Sequence, residues 1–80
     1  MTQEQATKTA DEYKNIVGQR WRNIYTGTIE TVTEVNPIEI WKQNDGWTVI
    51  ILFIPTITNH IAQISGYFLE TFLENYKKFN

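Results

Sequence analysis

The stretch that decides the fold is "DGWTVIILFIP", residues 45–55. Asp45-Gly46 carries turn chemistry, Pro55 ends the run, and the residues between are aliphatic, aromatic or β-branched. Successive side chains of a strand point to opposite faces. Here one parity (Trp47, Val49, Ile51, Phe53) is wholly apolar, and the other (Thr48, Ile50, Leu52, Ile54) nearly so. Burying Ile50 and Leu52 is worth roughly 1.5–3 kcal/mol each, so both faces call for a cover.

Working outward, the preceding residues keep a strand-like composition. "RWRNIYTGTIETVTEV", residues 20–35, is rich in β-branched and aromatic residues around a Thr26-Gly27 turn. Asn36-Pro37 is expected to break the second strand, "IEIWK" to form a third, and "QNDGW" to make the hairpin turn into the fourth. Short connections of this kind give an antiparallel meander over 20–57. "TITNHIAQI", residues 56–64, fits an extension of the strand, a loop or a fifth strand.

The flanks read as helices. Thr2-Gln3-Glu4-Gln5 fits a capping box, and Ala6, Ala10, Tyr13 and Val17 recur at helical spacing ahead of Gly18. A helix is expected over 3–16, with a narrow alanine-rich stripe that docks weakly. "SGYFLETFLENYKKFN", residues 65–80, places Phe68, Leu69, Phe72, Leu73, Tyr76 and Phe79 within an arc of about 140° at helical period. Ser65 suits the cap and Glu74 suits a pair with Lys78, so a helix is expected over 66–78. That helix is the expected cover for the second face of strand 47–54. A second copy of the chain is the alternative cover, which would make a homodimer.

The fold class is therefore α+β: a four- to five-stranded antiparallel meander, curved or closed into a small barrel, between two amphipathic helices in one domain, 1–80. Eighty residues lie near the lower limit for a self-sufficient core. There are no cysteines to staple it, but three Trp, four Tyr and four Phe supply area. A net charge of −2 argues against a broad electrostatic grip on nucleic acid. Met1–Ala10 is polar and lacks the apolar region of a signal peptide, and the run around 47–57 is too short to span a bilayer. A soluble cytoplasmic chain is expected, with no membrane contact.

Little in the sequence carries catalytic chemistry. His60 is the only histidine, and with no Cys a zinc site would need carboxylates for all its other ligands. Glu30, Glu34 and Glu39 fall on adjacent expected strands, but Glu30 and Glu34 share one parity and read as a solvated face. The four glycines stand singly, with no phosphate-binding loop among them. No cofactor, no metal and no enzymatic activity is expected. The stretch "QRWRNIY" is richer: Arg20, Trp21, Arg22 and Tyr25 combine cations with aromatic faces, and Trp41, Lys42 and Trp47 come near across a meander. Such a surface suits a protein-binding hot spot or the stacking of single-stranded bases. Trp21 and Trp47 also suit a core.

Gly18-Gln19-Arg20-Trp21-Arg22-Asn23, then Thr26-Gly27, Ile29 and Val32, resembles the opening of small SH3-like barrel proteins common in phage and prophage genomes. "GWTVIILF" and Phe68-Leu69-Glu70-Thr71-Phe72 stand where that family places its late tryptophan strand and closing segment, so the resemblance covers about 18–76. The two helices are additions to that plan. The resemblance implies a small, non-catalytic accessory factor that acts in a host cytoplasm by binding a host macromolecule, and it assigns no site residues. The expected function is a viral or prophage protein-binding module that occupies or inhibits a host protein. The alternative is a single-stranded nucleic-acid binder using Arg20, Trp21, Arg22, Trp41 and Lys42.

Overall fold

A computed structural model describes residues 1–42, 45–55 and 65–79. The elements are α1 (Gln3–Tyr13), a 3-10 turn (Lys14–Ile16), β1 (Arg20–Asn23), β2 (Ile29–Glu39), β3 (Trp47–Pro55), β4 (Ser65–Phe68), α2 (Leu69–Asn75) and β5 (Tyr76–Phe79). The five strands form one antiparallel sheet in the order β4-β3-β2-β1-β5. The α+β class and the strand number agree with the sequence. Residues 56–64, including His60, lie outside the described residues, as do Gln43 and Asn44 of the hairpin turn.

The first helix forms for the local reasons its sequence advertises. Thr2 Oγ1 accepts from the Gln5 N–H at 3.2 Å, and Gln5 Oε1 accepts from the Thr2 N–H at 2.9 Å. Gly18 ends the segment at φ +88°, a conformation that costs a side-chain-bearing residue far more. The expected weak docking is overturned. Ala6 and Ala10 are fully buried in the core cluster, because an alanine stripe lets the helix backbone approach the sheet closely. The N-terminal amine also donates to the carbonyls of Asp45 and Trp47, at 2.8 and 2.9 Å. Val17, expected on the stripe, is exposed, and Ile16 is buried instead.

Strand β2 overrides its proline. It runs unbroken through Asn36-Pro37, with Pro37 opposite Val49 and Ile38 opposite Thr48. The separate "IEIWK" strand therefore does not exist. Strand β1 pairs with β2 only at Ile29, Glu30 and Thr31, so from Glu34 onward β2 has no β1 ladder for a missing N–H to interrupt. Proline also favours an extended residue before it, which suits a strand edge. A register shift between Val32 and Glu34 puts one extra residue into β2. This bulge lets both Val32 and Val35 reach the core although they are three positions apart.

The helix expected over 66–78 is replaced by strand, short helix and strand. Only Leu69–Asn75 is helical; Ser65–Phe68 pairs with β3 and Tyr76–Phe79 with β1. Both β3 and β1 offered an open edge, and Tyr and Phe suit strands as well as helices. Four strand spacings of about 4.8 Å would hold β4 and β5 roughly 19 Å apart in a flat sheet. Instead the rings of Tyr67 on β4 and Tyr76 on β5 lie 5.8 Å apart. The sheet is thus strongly curled but not closed, its two edges meeting through side chains rather than through a ladder.

The core fills the concave face. Val49, Ile51 and Phe53 of β3 join Val32 and Val35, and Ala6, Ala10, Ile16, Leu69, Phe72 and Tyr76 complete the cluster. Phe72 contacts Trp21, Phe53 and Tyr76, with ring centroids 5.0, 6.3 and 4.8 Å away. Both helices therefore contribute to this one face. Cover of the second face of β3 by the C-terminal helix is corrected: Ile50, Leu52 and Ile54 stay half-exposed. Among the described residues, no helix is long and apolar enough to cross a membrane.

Candidate functional site

The six residues singled out by sequence do not converge. Within β1, Trp21 and Asn23 point to the concave side, while Arg20 and Arg22 point outward. Trp21 packs against the core, 5.0 Å from Phe72, and its indole nitrogen is buried without a hydrogen-bond partner among the described residues. Tyr25 is 76 % exposed on the β1–β2 turn. Trp41 and Lys42 are exposed after β2, at its far end. Arg20 lies opposite Thr31, and the strand from there to Glu39 covers roughly 26 Å. One continuous patch from Arg20 to Lys42 is excluded by that separation.

The structure gathers a different set. Strand β5 lies beside β1 with Lys77 opposite Arg22 and Phe79 opposite Arg20. The Arg20 guanidinium carbon sits 5.2 Å from the centre of the Phe79 ring, within cation–π range. Arg20, Arg22 and Lys77 thus share the convex face of adjacent strands. The ion pair among the described residues is elsewhere, between Lys14 and Asp11 at 3.1 Å. Like charges directly opposite each other oppose strand pairing, so Arg22 and Lys77 keep a cost that an anionic partner would relieve. Sequence reading missed Lys77 and Phe79 because it put them on a helix.

The same convex face changes character across the sheet. On β3 and β4 it shows Ile50, Leu52, Ile54 and Phe68, with Ile50 opposite Phe68 and Leu52 opposite Gly66. Gly66 is tight: an added Cβ would stand 2.7 Å from Leu52 Cδ2 and 3.2 Å from the Ile51 carbonyl oxygen. Between the two halves runs β2, whose bulge separates the carboxylates. Glu34 lies opposite Leu52, on the convex face, whereas Glu30 lies opposite Pro55, in line with Phe53 and Ile51. Their expected shared parity is therefore corrected.

On the concave side, the Tyr76 hydroxyl donates to Glu30 Oε2 at 2.7 Å. Asn23, itself buried, hydrogen-bonds the same phenol and also accepts from the N–H groups of Tyr25 and Thr26 at 2.9 and 3.1 Å. Burial pushes the Glu30 carboxyl above its ordinary range, against the opposing effect of the Tyr76 hydrogen bond. Burial likewise pushes the Tyr76 phenol up, and the Glu30 charge adds to it. Among the described residues, no group of three or more His, Cys, Asp or Glu is placed to hold a metal ion. No protein-family model, curated protein or solved structure matches the chain.

Proposed function

We propose that this chain is a non-catalytic protein-binding module, a small accessory factor of viral or prophage type that binds or inhibits a protein in the host cytoplasm. The observation that carries this reading is the asymmetry of the sheet: both helices pack on the concave face. The convex face keeps an aliphatic half (Ile50, Leu52, Ile54, Phe68) beside a cationic half (Arg20, Arg22, Lys77) carrying Phe79. An apolar row next to cations with no ion pair among the described residues fits a partner that presents apolar side chains flanked by acidic ones. The strand order, and the ring contact between the sheet's two edges, support an SH3-like barrel as the parent architecture.

Binding of single-stranded nucleic acid is the second reading, favoured by the placement of Lys77 and Phe79 beside Arg20 and Arg22. The aliphatic half of the face has no use in that reading. Capture from host lysate by the full chain, with and without nuclease, tests both. Protein capture that resists nuclease and is lost in Leu52→Lys and in Arg22→Glu, each still folded by circular dichroism, supports the module. Nuclease-sensitive capture that falls steeply with salt supports nucleic acid instead.

A further inference from the structure

The curled sheet leaves a cavity of about 330 Å³ between its two edges, on the side away from the convex face. Phe53, Tyr67 and Tyr76 line it with rings, and Glu30, Thr28 and Ser65 add polar groups. We propose that this cavity is a binding site for an organic cation of side-chain size, a guanidinium or a primary ammonium.

The three rings touch one another, with centroids 5.3, 5.7 and 5.8 Å apart. They form a continuous aromatic wall rather than an open cage, with Tyr67 as the ring that the ligand lies against and the other two behind it. Phe53 and Tyr76 are buried, whereas Tyr67 is 37 % exposed and is the ring a ligand reaches first. The faces of aromatic rings are electronegative and attract cations.

Glu30 supplies the charge. Its carboxylate is fixed by the Tyr76 hydroxyl, which uses one of its roughly four acceptor positions. No cation of the described residues stands within ion-pair distance of it. Burial already works against its charged form, so a cation entering the cavity would replace lost hydration and favour ionisation. A neutral ligand would leave that charge uncompensated, and an anion would be repelled. One carboxylate is too few oxygen ligands for a divalent metal. The Thr28 and Ser65 hydroxyls offer acceptors for the N–H groups left over.

The test follows the Tyr67 and Tyr76 ring resonances of the full chain during titration with methylguanidinium, with urea as the neutral isostere. A parallel titration uses the blocked peptide acetyl-Gly-Arg-Gly-amide. Glu30→Gln keeps an acceptor for the Tyr76 hydroxyl and should stay folded. Saturable shifts with methylguanidinium, absent with urea and weakened about tenfold or more in Glu30→Gln, support the site. Binding should also fade as pH falls through the Glu30 titration. With that dependence on Glu30 established, tighter binding of the peptide would assign the cation to a protein side chain, and equal or weaker binding to a free small-molecule guanidinium. Non-saturating shifts, an equal response to urea, or unchanged binding by Glu30→Gln would overturn the proposal.

Discussion

Val49, Ile51 and Phe53 lie at most 2 % exposed on the concave side of β3, while Ile50, Leu52 and Ile54 alternate with them and remain half-exposed. The two rows are nearly equal in apolar content, so hydrophobicity does not separate them. What separates them is curvature. A sheet that curls until Tyr67 and Tyr76 touch has a narrow concave side, which α1 and the seven-residue α2, roughly 10 Å long, close together. The convex side is wider, and among the described residues neither helix packs on it. The hydrophobic effect demands cover in proportion to area, but geometry decides which face receives it.

Several substitutions break or sharpen this contrast. Phe72→Ala, at a fully buried ring touching three others, should cost about 3–5 kcal/mol, enough to unfold much of so small a domain. Leu52→Ala on the convex row should cost about half of that or less, since part of its side chain already meets water. Urea denaturation of the pair measures the difference, and equal losses would mean that the convex row is covered as well. Gly66→Ala should cost about 1 kcal/mol, since the end of the Leu52 side chain can swing aside while the Ile51 carbonyl must give slightly. An unchanged melting temperature would show that β4 is not seated against them.

Smaller effects probe one group of β1 on each face. Trp21→Phe deletes the buried, unpartnered indole N–H together with some contact to Phe72. The two changes oppose each other, so the net shift should stay within about 1 kcal/mol. Arg22→Gln removes the repulsion from Lys77 opposite it and should stabilise by up to about 0.5 kcal/mol at low salt, with the gain vanishing as salt is added. A destabilisation there would mean that Arg22 has a partner on the convex face.

The smallest effect is the most diagnostic of the concave mouth. The Glu30 carboxyl is raised in the folded chain, so its protonated form is favoured by folding. That contribution is fully present below the ordinary value of 4.5 and is lost as pH rises through the folded value. Glu30→Gln should therefore be at least as stable as the parent at neutral pH, and its advantage should shrink as pH falls towards 4.5. Melting curves of the two proteins across that window measure it, and an advantage that grows on acidification would contradict the buried carboxyl.

Much of this molecule is determined by neighbours in sequence. The Thr2–Gln5 capping box needs only four consecutive residues, and Gly18 and Gly27 adopt the positive φ that their turns require. The alternation of β3 is a local pattern too, but with both parities apolar it called for cover on both faces and did not say which row would be buried. Of the residues singled out for binding, Arg20, Arg22, Tyr25, Trp41 and Lys42 are exposed, but Trp21 turned inward and Trp41 and Lys42 went to the far end of β2. Residues 65–79 satisfy a helical period and a strand composition equally well, and only the unpaired edges of β3 and β1 decided between them. The bulge after Val32 moved Glu34 to the face opposite Glu30, and the missing ladder beside Pro37 kept β2 whole. Backbone hydrogen bonds in a helix are made within the segment, whereas those in a sheet depend on which other strands have an edge to offer.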